Sequence, residues 1–213
     1  MIKKKIFDKQ KISILRDPII DMKEFSKKKK EFINFVSPIK QKYLISIGRL
    51  TAQKNFELLI NFFSKLLDKN SLFELVIIGK GEDELKLKDL SKKLNIENKI
   101  HFLGFQKNIY KYLKNAECFI LTSLWEDPGF VIIEAALSNI PIISSNCPNG
   151  PEEIIQNNGY LFQNNDLDDL LKKFDEFLGT NKITIYENKL ILKKRVRRFS
   201  TFQHYKKLTE LIN

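Results

Sequence analysis

Two carboxylates eight residues apart, Glu126 and Glu134, flank Pro128-Gly129 in the stretch Ser123-Leu124-Trp125-Glu126-Asp127-Pro128-Gly129-Phe130 and its apolar continuation. Proline and glycine break the chain before a helical run, so the N–H groups of Gly129, Phe130 and Val131 fall at a helix N-terminus that can take an anion. Glu134, early in that helix, can accept hydrogen bonds from a vicinal diol; the same spacing equally suits two acids that only complement the helix dipole. A second loop, running from Gly48-Arg49-Leu50 to Lys54, sets two cations five apart around a glycine turn. Arg offers a fork and Lys a point charge, a clamp for a diphosphate, although exposed cations are also ordinary surface chemistry. A third loop, Gly79-Lys80-Gly81-Glu82-Asp83-Glu84, comes close to a dinucleotide-binding turn but has Glu84 where a third glycine belongs, and it reads as well as a simple tight turn. No Gly-x4-Gly-Lys-Ser/Thr pattern is present, which excludes a nucleoside triphosphatase of that type. Glu126 and Glu134 could also be the carboxylate pair of a glycoside hydrolase, a reading that leaves the cations of the second loop without a purpose.

These loops need elements to hold them. From Tyr43 onward, short β-branched runs alternate with segments of helical period, the pattern of a βαβ series around a parallel sheet. Strands are expected over 43–47, 73–78, 100–103, 118–122, 140–144 and 160–162, and helices over 56–67, 83–94, 109–116, 130–138 and 166–178, the last capped by Asp166. Residues 186–212 read as basic helical segments interrupted near Ser200. Residues 1–42 stand apart as a basic linker with one short strand at 12–15, in which Lys27 to Lys30 form a solvated helix face or loop. The expected division is thus an arm over 1–42, a nucleotide-binding body over 43–181 and basic C-terminal helices over 182–213.

The 213 residues are 43% apolar and 30% charged, with eight glycines and six prolines, the composition of one folded domain rather than a disordered or fibrous chain. No apolar run is long enough to cross a membrane, and no apolar region follows the charged start as in a signal peptide, so a cytoplasmic location is expected. Cys118 and Cys147 make neither a metal spacing nor a disulfide framework. The formal net charge of +11 is unevenly spread: residues 1–42 carry 13 Lys or Arg against 5 acids, residues 182–213 carry 9 against 2, and the middle carries 15 against 19. An acidic body speaks against nucleic acid as a partner; the basic arms fit either a lysine-rich background or contact with an anionic membrane surface or an acidic partner.

Taken in order, these motifs resemble the C-terminal, donor-binding half of retaining glycosyltransferases of the GT-B fold, in family four of the nucleotide-sugar enzymes. The resemblance runs over about 11–178: Gly48-Arg49-Leu50 to Lys54, Gly79-Lys80-Gly81-Glu82, Ile100-His101-Phe102-Leu103-Gly104, Leu121-Thr122-Ser123, the Glu-x7-Glu of Glu126 and Glu134, Pro141-Ile142-Ile143-Ser144-Ser145, Gly150-Pro151-Glu152-Glu153-Ile154-Ile155 and Asn158-Gly159-Tyr160-Leu161-Phe162. The Asp127-Pro128-Gly129-Phe130 form with Asn146-Cys147-Pro148-Asn149-Gly150-Pro151 is similar to a subgroup building surface polysaccharides and lipid-linked glycans. The resemblance implies a Rossmann-like α/β parallel sheet with helices on both faces, one half of a GT-B fold. It implies that Arg49 and Lys54 hold the donor diphosphate, that Gly129, Phe130 and Val131 touch phosphate and sugar through their N–H groups, that Glu134 binds the ribose and Glu126 the transferred sugar. Gly79, Gly81 and the segment Phe102, Leu103 and Gly104 would line the base pocket, with Gly48 and Ser123 also among the donor-binding residues. The implied donor is a nucleotide-sugar, uridine- or guanosine-linked, held without a metal, since no Asp-x-Asp stands on any of these loops. The acceptor half is expected on a separate N-terminal domain or polypeptide; a non-catalytic nucleotide-sugar-binding module is the alternative reading.

Overall fold

The protein is described by a computed structural model at residues 15, 17–31, 39–69, 72–127 and 129–212. Among these residues β1 (Tyr43–Ile47), β2 (Glu74–Ile78), β3 (Ile100–Phe102), β4 (Cys118–Leu121), β5 (Ile142–Ser145) and β6 (Tyr160–Phe162) form one parallel sheet in the order β3-β2-β1-β4-β5-β6. Crossovers run through α2 (Phe56–Asp68), α3 (Glu84–Lys93), α4 (Tyr110–Leu113), α5 (Phe130–Leu137) and α6 (Pro151–Ile155). Three further helices follow β6: α7 (Leu167–Gly179), α8 (Lys182–Arg195) and α9 (Thr201–Ile212). One more, α1 (Met22–Lys30), precedes β1.

Successive strand side chains point to opposite faces, so β1 sends Tyr43, Ile45 and Ile47 into one core and Leu44 into the other. The first core is closed by α1, α4, α5, α6 and α8, the second by α2, α3 and α7. Both faces are covered, which is why β1 and β4 are buried along their whole length rather than at alternate positions. In α2 the helical spacing of Phe56, Leu59, Phe62, Phe63 and Leu66 buries one wide stripe, each side chain contributing about 2 kcal/mol of transfer free energy. The expected Rossmann-like sheet with helices on both faces is therefore present.

Some boundaries differ from the sequence reading. The helix expected over 109–116 closes only across Tyr110–Leu113, and β5 starts at Ile142, because Pro141 has no N–H to give to the ladder. The expected helical tail starts earlier, at Lys182, where the Asn181 side chain accepts from the N–H of Thr184. Helix α1 was expected only as a helix face or loop within a linker. It is nucleated by Asp21, whose carboxylate accepts from the N–H groups of Lys23 and Glu24, and it buries Phe25 edge-on against Tyr110 at 4.9 Å. The strand expected over 12–15 lies outside the described residues except for Leu15.

Strand order reverses between the adjacent central strands β1 and β4, whose onward connections lead to opposite edges of the sheet. In an open parallel sheet the crevice beyond the carboxyl ends of two such strands is where a ligand fits.

Candidate functional site

Glycines draw the first two loops together. The Gly48 N–H donates to the carbonyl of Ile78 at 3.0 Å, and Gly79, at φ 146°, lies so near that a Cβ there would sit 1.8 Å from the Gly48 oxygen. A Cβ on Gly81 would meet the Leu50 oxygen at 2.2 Å. Both glycines are thus required by loop-to-loop contact, and the Gly79 N–H continues the lacing by donating to Gly104 at 3.0 Å.

Beyond β4, Glu126 is 4% exposed. Its Oε1 accepts two hydrogen bonds of 2.5 Å, from the Lys54 ammonium and from the Ser123 hydroxyl. Backbone bonds hold this group in place: Leu124 N–H to Gln53, Glu126 N–H to Pro148, and the Ser145 hydroxyl to the carbonyl of Ser123. Lys54 reaches Glu126 by passing over Gly48, where its carbons would lie 3.3 Å from any Cβ. Gly129 caps α5 at φ 84° with the side chain of Glu126 beside it, and Phe130 and Val131 follow in the first turn, where helix N–H groups have no intrahelical acceptor. Pro128 lies outside the described residues.

A cavity of about 420 Å³ opens next to this group. Its walls are Gly48 and Arg49 after β1, Gly79 and Lys80 after β2, Phe105 to Lys107 after β3, Lys28 of α1, and Tyr110 and Glu134. Burial raises the pKa of Glu134 from 4.5 to about 7, with Lys28 acting in the opposite direction. Lys28, Arg49, Lys80 and Lys107 line the same cavity as this one carboxylate, so its wall is strongly cationic.

The expected residues therefore divide. Lys54, Ser123, Glu126 and Gly129 form one group; Gly48, Arg49, Gly79 and Glu134 line the cavity; Gly48 and helix α5 join the two. Gly81 packs under Leu50, and Phe102, Leu103 and Gly104 stand behind the wall. Phe102 packs with the opposite core, under the Lys88 ammonium at 5.7 Å from its ring, because alternation along β3 turns it away from the crevice. The wall is taken over by Phe105, Gln106 and Lys107, which the motif reading stopped short of. The signal available was their place directly after the Leu103-Gly104 turn that follows β3. Lys28 and Tyr110 are placed by tertiary packing, with no signal in the spacing.

The family described as glycosyl transferases group 1 matches residues 27–197. The chain belongs to that family. Among relatives of this group 1 glycosyltransferase chain, an uncharacterized glycosyltransferase of Methanocaldococcus jannaschii is 45% identical over 111 residues, 52% of this chain and 27% of the relative. The amylovoran biosynthesis glycosyltransferase AmsD of Erwinia amylovora is 32% identical over 168 residues, 73% of this chain and 47% of the relative. A Campylobacter jejuni N-acetylgalactosaminyltransferase acting on a diphospho-undecaprenol glycan is 35% identical over 135 residues, 63% and 35% of the two chains. In fold, the group 1 chain matches S. aureus TarM, solved with UDP, at a TM-score of 0.73 and 24% identity over 84% of this chain and 38% of TarM. Anabaena HepE, solved with UDP and glucose, matches at 0.73 and 18% identity over 92% and 54%. These curated relatives are much longer: the chain spans 27%, 47% and 35% of their lengths.

Proposed function

We propose that this chain binds a nucleoside-diphosphate sugar, most simply a uridine-linked one, and supplies the donor half of a retaining glycosyltransferase that builds a surface polysaccharide or lipid-linked glycan. The observation that carries the reading is the charge pattern of the crevice: four cations around one half-buried carboxylate, beside the Lys54–Glu126 pair. A diphosphate seats against Arg49 and the start of α5, where N–H groups and cation favour negative charge. Glu134 accepts from the ribose hydroxyls, and the exposed ring of Phe105 gives the base an apolar wall. Glu126, fixed through Oε1, presents its other oxygen to the sugar. When the sugar leaves, charge develops on the departing diphosphate, and Arg49 and Lys54 are already placed to stabilise it without a metal.

The acceptor, on this reading, is held by a separate domain or polypeptide. Donor binding without transfer is the second reading. Calorimetry of the chain against a panel of nucleoside diphosphates and their sugars, with and without chelator, tests the proposal. Binding that survives chelation and is weakened at least tenfold by Arg49→Ala supports it; no binding to any member of the panel overturns it. Transfer on adding an acceptor domain, with the product's anomeric configuration read by NMR, separates the two readings.

A further inference from the structure

Helix α8 is apolar on two sides. The inward side serves the fold: Leu192 is buried in the first core, Ile185 packs against the second, and the Asn188 amide oxygen accepts from the Asn158 side chain at 2.9 Å. The Arg195 guanidinium fastens the end of the helix by donating to the carbonyls of Ile154 and Ile155 and to the Asn158 side chain, at 3.1, 2.8 and 2.6 Å. Ile185, Asn188, Leu192 and Arg195 stand at i, i+3, i+7 and i+10, a single stripe of the helix, and one such stripe is all that a helix lying on a domain needs. A second stripe faces away from it. Ile183, Tyr186, Leu190 and Ile191, at i, i+3, i+7 and i+8, are 73%, 55%, 43% and 46% exposed.

Charge along the helix decides what meets this second stripe. Lys182, Lys189 and Lys193, at i, i+7 and i+11, follow its flank beside Tyr186, and Lys194 continues it at the C-terminal end; Glu187 is the single acid of the helix. A second copy of the chain docked stripe to stripe would set four lysines against four, with one acid on each side to offset them. A layer of apolar chains beneath anionic headgroups suits both the stripe and its flank, because lysine stems lie along apolar surface while their ammonium groups reach outward. We propose that α8 lies flat in the interface of an anionic phospholipid bilayer. Ile183, Tyr186, Leu190 and Ile191 enter the acyl boundary, and Lys182, Lys189, Lys193 and Lys194 meet headgroup phosphates. The membrane contact is thereby given to one helix rather than to the basic segments at large, and it holds whichever nucleotide the crevice takes.

Co-sedimentation of the full chain with vesicles of mixed phosphatidylglycerol and phosphatidylcholine, and with phosphatidylcholine alone, reads the contact. The unaltered chain is compared with an apolar variant, Ile183→Gln/Tyr186→Gln/Leu190→Gln, and a charge variant, Lys182→Gln/Lys189→Gln/Lys194→Gln. Two controls accompany them: the charge-matched Lys92→Gln/Lys93→Gln/Lys99→Gln, at and beyond the end of α3, and Phe202→Gln/Tyr205→Gln, which removes two exposed rings of α9. The unaltered chain and both controls should bind the anionic vesicles and leave phosphatidylcholine alone. The charge variant should bind about 100-fold more weakly, and the apolar variant at least tenfold. Absence of binding to anionic vesicles, binding kept by either α8 variant, or an equal loss in either control overturns the proposal. So does a dimer of the unaltered chain, seen by sedimentation velocity, that the apolar variant dissolves, since the stripe then belongs to a second copy. Every substituted side chain is at least partly exposed, so each variant should melt within about 2 °C of the unaltered chain, which separates loss of binding from loss of fold.

Discussion

The Lys54 ammonium and the Glu126 carboxylate, 72 residues apart in sequence, meet at 2.5 Å with 14% and 5% of their side chains exposed. The pair joins the loop after β1 to the loop after β4 across the place where strand order reverses. Removing one partner of a buried pair leaves the other charge uncompensated. Lys54→Ala should therefore cost about 3 kcal/mol, and Lys54→Met/Glu126→Gln, which removes both charges, clearly less. Urea melts of the single and double variants give the coupling; additive losses would show that the two groups do not interact in solution.

Glu134 is the site's titrating group. Its pKa is raised from 4.5 to about 7, so the folded chain holds its proton more tightly than the unfolded one does. The associated stability is fully present below about pH 4.5 and is lost as pH rises through about 7. Glu134→Gln should accordingly stabilise the protein at alkaline pH, by up to about 3 kcal/mol, and have little effect under acid conditions. Thermal melts of both proteins across this range check it, and parallel curves would remove Glu134 from the account. An ionised carboxylate is the better acceptor for ribose, so nucleotide affinity should climb over the same interval.

The two acids have separate tasks under the proposed function. Glu134→Ala should weaken a plain nucleoside diphosphate and the nucleotide-sugar alike. Glu126→Gln should leave the nucleoside diphosphate nearly unchanged and weaken the intact donor. A hydrogen bond to a charged group is worth roughly 1.5 to 3 kcal/mol, about 10- to 150-fold, well within reach of calorimetry. Equal effects of both substitutions on the nucleoside diphosphate would refute the division.

Gly79 and Gly179 give a contrast that needs no ligand. Alanine at 79 would force its methyl into the Gly48 carbonyl at a φ of +146°, and a loss of about 3 kcal/mol or more is expected. A Cβ at Gly179, the last residue of α7, meets nothing within 4 Å, and alanine there should be neutral or stabilise by up to about 1 kcal/mol. Denaturant midpoints of the two variants settle the comparison.

Much of this was readable in the sequence because the sheet is buried on both faces: β1, β2 and β4 announce themselves as short apolar runs, and the site loops follow them directly. The order Arg49, Lys54, Glu126, Glu134 pointed to the segments after β1 and β4, which the fold brings side by side. Helix α1 was harder, since among its nine residues only Phe25 is buried and four of the last are lysine, which hides an amphipathic period. Helix α6, at five residues, is too short to show one. Spacing also could not show that Lys54 points at Glu126 or that Phe105 replaces Phe102 on the cavity wall. Those facts arise from packing between distant segments.

The strand order also carries a consequence for synthesis on the ribosome. Leu44 of β1 pairs with Cys118 of β4, and nearly the whole of β2, β3 and their helices is made between them. At ordinary elongation rates of about 5 to 20 residues per second, one edge of a largely apolar central strand stays uncovered for roughly 4 to 15 s after it emerges. The nascent chain is most vulnerable to aggregation, and most in need of a chaperone, during that interval, while the finished sheet keeps β1 at its centre and exposes neither of its edges.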